Sequence, residues 1–164
     1  MLKLVLMLSL SLAGLTGGFP QGGPAESCDS LLPRHIHTEP KGPQESPYTF
    51  IASASTYDQQ KTLHGIQVEI SGSTFKGFMV AAIDPATHKR IGRFEKVKGT
   101  HPVACSAVTH SDGQLKQRVS LIWVPPHDIP HGNVIFMATV VKRYSVYYSN
   151  LIAAVPTAYK KAKA

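Results

Sequence analysis

The two cysteines of this sequence, Cys28 and Cys105, are the side chains with the most definite chemistry. Residues 1–18 combine one lysine with an apolar run and then small residues, the pattern of a secretory signal peptide cleaved after Gly18. Two cysteines in an exported chain most simply form one disulfide. A metal site would need further Cys or suitably spaced His near either one, and a catalytic thiol would rarely stay reduced outside the cell. The sequence therefore predicts a Cys28–Cys105 bridge.

The histidines have spacings that could serve a metal site or catalysis, but none completes a set. His35 and His37 have the two-residue spacing of a chelate on an extended chain, yet no third ligand lies nearby in the sequence. His127 and His131 are four residues apart, but nearby prolines disfavour the helix that would align them. His110 lies in a turn-forming stretch, and the sequence has no Gly-x-Ser-x-Gly elbow or Gly-rich phosphate loop. We therefore predict a protein that is not an enzyme and that holds no metal or cofactor.

The segment from His88 to Lys98 carries five cations against one acidic residue, Glu95. If the apolar residues between them point inward, the cations gather along one exposed strand and its turn, where phosphates could dock. The alternative is edge protection, because lysines on an edge strand discourage pairing with another chain. Both interpretations stay open, and the candidate anionic-ligand patch consists of Lys89, Arg90, Arg93, Lys96 and Lys98.

The whole chain is basic, with 17 Lys and Arg against 10 Asp and Glu and a formal net charge of +7. In an exported protein this balance favours anionic partners such as polyanionic glycans, lipid phosphates or bacterial surfaces, although it also serves solubility. Nucleic acid is a poor candidate partner because aromatic residues do not interleave with the basic segment. After residue 18 no apolar run is long enough to span a membrane. The net charge thus favours an anionic partner other than nucleic acid.

The composition divides the chain into three parts. Residues 1–18 are the predicted signal peptide, and residues 19–47 are rich in proline, glycine and serine with almost no apolar periodicity. Residues 48–164 consist of short apolar runs separated by turn residues, and they end in a basic tail with Lys160, Lys161 and Lys163. We therefore expect one domain, with residues 19–47 as an N-terminal arm that the disulfide tethers to it.

Alternating apolar residues predict the elements that position these side chains. Residues 66–71 alternate between apolar and polar, and the nearly continuous apolar run from Phe75 to Ile83 is typical of a central strand. The stretch from Val103 to Pro126 is predicted to be a β-hairpin with its turn at residues 110–113 and with Trp123 as a core anchor. The spacing of the runs predicts an all-β fold, an antiparallel immunoglobulin-like β-sandwich of about seven to nine strands.

Five short motifs carry a family likeness. They are Phe75–Met79, Ala82 followed by Asp84–Pro85, Cys105–Ser111, Trp123–Pro125 and Gly132–Val141. In order and spacing they resemble the reeler domain family, over a domain of about residues 28–160. The resemblance implies a β-sandwich with a Cys28–Cys105 disulfide. Small secreted insect defence proteins of the haemolymph are the most similar members, which implies binding to bacteria or their surface polymers; larger relatives join a reeler domain to redox-active membrane domains, as in ferric-chelate reductases.

Three functions are compatible with these features. The first is a secreted innate-immune defence protein that binds microbial polymers such as lipopolysaccharide, teichoic acid or glucan and has antimicrobial activity. The second is an extracellular matrix or adhesion module, although the chain shows no repeats. The third is a carrier of a small apolar ligand held between the sheets, which would need a cavity. We expect the first function, in the haemolymph, with the basic segment as the binding site.

Overall fold

The computed structural model describes residues 18–157, most of which lie in or between β-strands. The predicted signal peptide, apart from Gly18, and the basic tail lie outside the described residues. Single turns of 3-10 helix occur in the arm at Ala25–Ser27 and Pro43–Glu45. Eleven strands come after them, namely β1 (Tyr48–Ala52), β2 (Thr56–Asp58), β3 (Ile66–Phe75), β4 (Gly77–Ile83), β5 (Arg93–Phe94), β6 (Thr100–Val103), β7 (Ala107–His110), β8 (Lys116–Val124), β9 (His131–Asn133), β10 (Ile135–Arg143) and β11 (Val146–Ile152).

The strands form a sandwich of two antiparallel sheets with a small third sheet beside it. The four-stranded sheet has the order β1-β3-β8-β5, the five-stranded sheet has the order β11-β10-β4-β7-β6, and β2 pairs with β9. All pairs between these strands are antiparallel, so the predicted all-β sandwich is confirmed. The strand number exceeds the prediction because β2, β5 and β9 have only two or three residues. Such short strands leave no alternation in the sequence.

The predicted hairpin from Val103 to Pro126 is wrong. Strand β7 pairs with β4 and β6 in the five-stranded sheet, whereas β8 pairs with β3 and β5 in the four-stranded sheet. Residues 111–115 therefore carry the chain from one sheet to the other. The hairpin in this region is formed by β6 and β7, with Cys105 in its turn. A turn signal shows that the chain changes direction, but it does not show whether the flanking strands pair with each other.

The core between the two sheets is built around Trp123, which is fully buried. Its ring makes edge contacts with Tyr57 and Phe136, at centroid distances of 5.4 and 5.6 Å. The indole N–H donates to the carbonyl oxygen of Ile91 at 3.0 Å, so the one polar atom of the ring has a partner. Gly92 has a φ of +62°, and a Cβ there would lie 2.5 Å from Cζ2 of Trp123. Only glycine therefore fits at this position beside the ring.

Strand β4 is buried along its whole length, because both faces of the five-stranded sheet are covered. This double coverage explains the nearly continuous apolar run in its sequence, which was predicted to be a central strand. Leu31 of the arm packs on the outer face of the strand. The side chains that face the core are Phe78, Val80 and Ala82, and those that face the arm are Met79 and Ala81.

The arm crosses the outer face of the five-stranded sheet from β7 to β11. Near β7, the N–H of Gly23 donates to Oγ1 of Thr109 at 2.9 Å. At the opposite edge, the N–H of Lys41 donates to the carbonyl oxygen of Tyr147 at 2.9 Å, and the N–H of Ser149 donates back to Lys41 at 3.0 Å. The arm thus forms an additional layer on the side of the sheet that faces away from the core.

Candidate functional site

A disulfide links the arm to the edge of the five-stranded sheet. Cys28 and Cys105 are bonded, and Cys105 lies in the turn between β6 and β7. Arg90 adds a second link, because its Nη2 donates to the carbonyl oxygen of Cys28 at 2.7 Å. The structure therefore contains the bridge that the sequence predicts. It also shows that Arg90, a member of the predicted anionic-ligand patch, holds the arm by a hydrogen bond to Cys28.

The basic segment crosses between the two sheets of the sandwich. It begins beside the end of β4, where Arg90 forms a bridge with Ile83, continues through the edge strand β5, which pairs with β8, and ends just before β6. Ile91 and Phe94 are buried, as the inward orientation of the apolar residues requires. The predicted exposed strand is only two residues long, because the segment crosses from one sheet to the other instead of lying within one.

Arg90 differs from the other four cations of this segment. It is partly buried, and burial lowers the pKa of its guanidinium. The remaining four are exposed, and none of them belongs to an ion pair formed within residues 18–157. The structure thus places four of the five predicted cations on the surface and turns the fifth toward the arm. We call the four the basic edge, and they are Lys89, Arg93, Lys96 and Lys98.

A groove of about 610 Å³ lies between the arm and the outer face of the five-stranded sheet. Its lining comes from Gly18, from arm residues 19–35, from the start of β4, from the end of β7 and from the end of β10. This volume falls within the usual range for small-molecule sites, about 300 to 1,000 Å³. The carrier hypothesis placed a ligand between the two sheets, whereas the groove lies on the other face of the five-stranded sheet. Apolar side chains dominate the lining, among them Phe19, Leu31, Leu32, Met79 and Val141.

Two buried polar atoms of the groove lining have no hydrogen-bond partner within residues 18–157. They are Oγ of Ser27, a residue that is only 2% exposed, and Nδ1 of His35. The ring of His35 stacks on Tyr144 at a centroid distance of 4.2 Å, and burial lowers the pKa of His35. A buried polar atom without a partner costs free energy that a hydrogen bond would recover. The groove therefore offers two places where a polar group of a ligand would be stabilised.

His110 joins the sheet to the arm at one end of the groove. Its Nε2 lies 3.1 Å from the carbonyl oxygen of Phe19, which can only accept, so Nε2 carries the proton and donates. Its Nδ1 then accepts from the N–H of Phe78 at 3.2 Å. Burial lowers the pKa of His110 and so favours this neutral form. A Cβ at Gly77 would lie 2.8 Å from the imidazole ring, which explains the glycine at the start of β4.

Two cations lie at the groove. Lys76 precedes β4 and Arg143 ends β10, and these two strands are neighbours in the sheet. The N–H of Lys76 donates to the carbonyl oxygen of Val141 at 2.9 Å, which holds both cations at the same end of the sheet. Both are exposed, and neither appears among the ion pairs of the described part of the chain. The groove thus combines an apolar interior with a positively charged rim.

The other histidines with suggestive spacing lie on the surface. Three of them are exposed, namely His37, His127 and His131. His131 is the first residue of β9 and lies opposite Asp58 in the antiparallel pairing of β9 with β2. Between residues 18 and 157 no group of three or more His, Cys, Asp or Glu side chains is placed to hold a metal ion. The same part of the chain has no helix long and apolar enough to cross a membrane.

The sequence matches the family model of the Reeler domain over residues 26–163. It is 32% identical to "Putative defense protein 3" of Antheraea mylitta over 91% of this chain and 90% of that protein. It is 31% identical to "Putative defense protein Hdd11-like" of Samia ricini, over 88% of this chain and 90% of that protein. A match to "Putative ferric-chelate reductase 1" of Xenopus laevis, also 32% identical, covers 80% of this chain but only 22% of the reductase. The two insect proteins are therefore matched over nearly their whole length.

Solved structures of the human F-spondin reeler domain have the same fold. One superposes with a TM-score of 0.55 at 19% identity and covers 73% of this chain and 94% of that chain. A second fragment of the same domain gives a TM-score of 0.54 at 22% identity. At these identities the similarity concerns the fold alone. Because the family model matches most of its length, this chain belongs to the reeler domain family.

Proposed function

We propose that this protein is a secreted defence protein that binds anionic microbial surface polymers, such as lipopolysaccharide and teichoic acid, through the basic edge. The observation that carries this proposal is that the four cations of the basic edge are exposed within ten consecutive residues, 89–98, without an acidic partner within residues 18–157. The insect relatives that are named as defence proteins support the defence role and an extracellular location.

The basic edge suits a polymer with repeating anionic groups. A single exposed Lys or Arg gains little from one phosphate, because water and salt screen the charges. A polymer that is held by one cation presents its other phosphates to the remaining cations at high effective concentration. Arg93 lies on β5, which pairs with β8, so part of the edge rests on a regular sheet. Binding is therefore expected to be multivalent and sensitive to salt.

Protection of the sheet edge is compatible with this function. Strand β5 is the last strand of the four-stranded sheet, so its outer side is open to pairing with another chain. Charged side chains on that strand disfavour such pairing whether or not they also bind a polymer. The two roles predict different effects of removing the charges, since polymer binding predicts lost affinity and edge protection predicts aggregation.

The test replaces the four cations of the basic edge by Gln and keeps Arg90, which links the arm to the segment. A control with the same change in net charge removes four exposed cations elsewhere, namely Arg34, Lys61, Arg118 and Lys142. Two of these, Lys61 and Arg118, form ion pairs, with Asp58 and Glu69. Binding to lipopolysaccharide, teichoic acid and glucan is measured in dilute and in concentrated salt, after melting curves have shown that each variant folds. We expect the edge variant to lose at least about tenfold in affinity for the two phosphate-bearing polymers. The control should stay close to wild type, and any glucan binding should not depend on the edge.

The outcomes separate the alternatives. Equal losses in both variants would mean that only net charge matters, which contradicts a defined edge site. Salt-insensitive binding that survives in the edge variant would also reject the site. If the edge variant aggregates while its affinity is unchanged, the cations serve edge protection. A wild-type protein that binds none of the polymers would overturn the proposed function and favour the matrix or carrier alternatives.

A further inference from the structure

We propose that the groove under the arm binds the anion of a long-chain fatty acid, with the chain in the apolar interior and the carboxylate beside Lys76 and Arg143. The lining of this groove shares no residue with the basic edge, so the site is independent of the polymer-binding function. It is also distinct from the core between the sheets, which Trp123 and its neighbours fill.

The interior of the groove fits an apolar chain. Met79 and Val141 come from neighbouring strands of the sheet, and Leu31 and Leu32 come from the arm that lies over them. Methionine adapts its shape to a ligand because it is unbranched and flexible. Each additional methylene that such walls bury strengthens binding about fourfold. A volume of about 610 Å³ suits a single small molecule rather than a folded partner.

The rim favours an anionic head group. A carboxylate can accept charge-assisted hydrogen bonds from both Lys76 and Arg143, which lie at the same end of the sheet. Asp112 is next in sequence to Gly113 of the groove lining, but its Oδ1 is already paired with Nζ of Lys116 at 2.7 Å. This pairing balances the charge of Asp112. Glu26, next in sequence to Ser27 of the lining, is exposed and forms no ion pair within residues 18–157. The two cations of the rim exceed this one carboxylate, so the groove keeps a net positive charge that favours an anion.

The partnerless polar atoms are an independent indication of a ligand. Oγ of Ser27 and Nδ1 of His35 are buried in the lining without a hydrogen bond to any residue between 18 and 157. His35 stacks on Tyr144, which directly follows Arg143, so its imidazole lies at the charged end of the groove. A carboxylate oxygen can accept from the tautomer of the His35 imidazole that carries its proton on Nδ1. A fatty acid would thus supply an apolar chain for the interior and an acceptor for His35 at the charged end.

The first test measures chain length and charge. Protein recovered from the medium of a secreting host is freed of lipid and titrated calorimetrically with decanoate, dodecanoate and tetradecanoate. We expect the affinity to rise about fourfold per methylene until the groove is full. Tetradecanol, which has the same chain without the charge, should bind at least about tenfold more weakly than tetradecanoate.

The second test uses substitutions with matched controls. The double variant Lys76→Gln with Arg143→Gln should bind tetradecanoate about tenfold more weakly, whereas Lys142→Gln, an exposed neighbour outside the lining, should not. Val141→Trp should fill the groove and abolish binding. Its control is Ile152→Trp, because Ile152 is exposed and lies outside the groove.

Ser27→Ala tests the partnerless hydroxyl of the lining. Removing a buried hydroxyl that lacks a partner within residues 18–157 should raise the Tm of the ligand-free protein by about 2 to 4 °C. An unchanged or lower Tm would mean that this hydroxyl has a partner in the ligand-free protein.

Other results would overturn the site itself. If none of the three acids binds wild-type protein, the proposal fails, and polymer binding at the basic edge is unaffected by that failure. Equal affinity for tetradecanol and tetradecanoate would mean that the rim does not select an anion. Tighter binding of tetradecyl phosphate than of tetradecanoate would assign the groove to a phosphate-headed lipid instead of a fatty acid.

Discussion

The two faces of the five-stranded sheet are both covered, but by different kinds of structure. The inner face packs against the four-stranded sheet around Trp123, whose N–H donates to Ile91. The outer face is covered by the arm, which has only short helical turns and a single bridge to β11. Under the arm lies the groove of about 610 Å³, where buried atoms of Ser27 and His35 have no hydrogen-bond partner within residues 18–157.

The difference arises from the covering segments. A sheet presents side chains at regular spacing, so two sheets interdigitate and fill the space between them. An arm rich in proline and glycine has no such regular spacing, and it contacts the sheet only where single residues such as Leu31 or Cys28 reach it. The regular covering therefore serves stability, whereas the irregular covering leaves space that a ligand can use.

Trp123→Ala should show the largest effect, because it opens a cavity on the closely packed inner face. We expect a loss of about 3 to 5 kcal/mol in the free energy of unfolding, measured by denaturant titration. Ile152→Ala is the control, since Ile152 is 58% exposed, and it should change stability by less than about 0.5 kcal/mol. A loss below about 1 kcal/mol for Trp123→Ala would contradict the contrast between the two faces.

Loss of the disulfide should have the next largest effect, and it should fall mainly on the outer face. The double variant Cys28→Ser with Cys105→Ser should lose about 2 to 4 kcal/mol of stability, because the unfolded chain is no longer constrained. Hydrogen exchange should accelerate more in residues 19–40 than in β3 or β8.

Thiol titration of the unfolded, unreduced wild type should find no reactive thiol from Cys28 or Cys105. Two reactive thiols per chain would disprove the bridge.

The smallest expected effect is a dependence of stability on pH that arises from two histidines on the outer face. Burial lowers the pKa of both His35 and His110 below the value of about 6.5 expected in the unfolded chain. The unfolded chain then binds protons more readily, so the stability is fully present above about pH 6.5 and is lost as the pH falls through the lowered values. Hydrogen bonds with the backbone of Phe78 and Phe19 oppose the lowering of the His110 pKa. Nearby Lys116 adds to the lowering, and Asp112 opposes it.

Thermal melts from about pH 7.5 to pH 5 would measure this loss. The substitutions His35→Gln and His110→Gln should each reduce the fall in Tm between these limits. The exposed His64 serves as the control, and His64→Gln should leave the fall unchanged. If all three variants keep the wild-type pH dependence, the acid sensitivity does not come from the outer face.

The sequence predicted individual strands better than it predicted which strands and side chains contact each other. The apolar run of β4 indicated a strand buried on both faces, and the structure shows this, because such a run depends only on local burial. The stretch from Val103 to Pro126 indicated two strands correctly but paired them wrongly, since alternation does not say which strand lies beside which. Arg90 was grouped with its neighbours in sequence, yet it contacts Cys28, which lies 62 positions away.

By itself the sequence determined the fold class, the pairing of its two cysteines, and the position of the basic segment, because these depend on residue types and short-range patterns. Only the tertiary structure decided that the arm crosses the outer face and leaves a groove there. The lining of that groove comes from residues 18–35, 76–79, 110–113 and 139–144, which are far apart along the chain. A space between such segments has no period and no motif, so it exists only once the sheet and the arm have packed together.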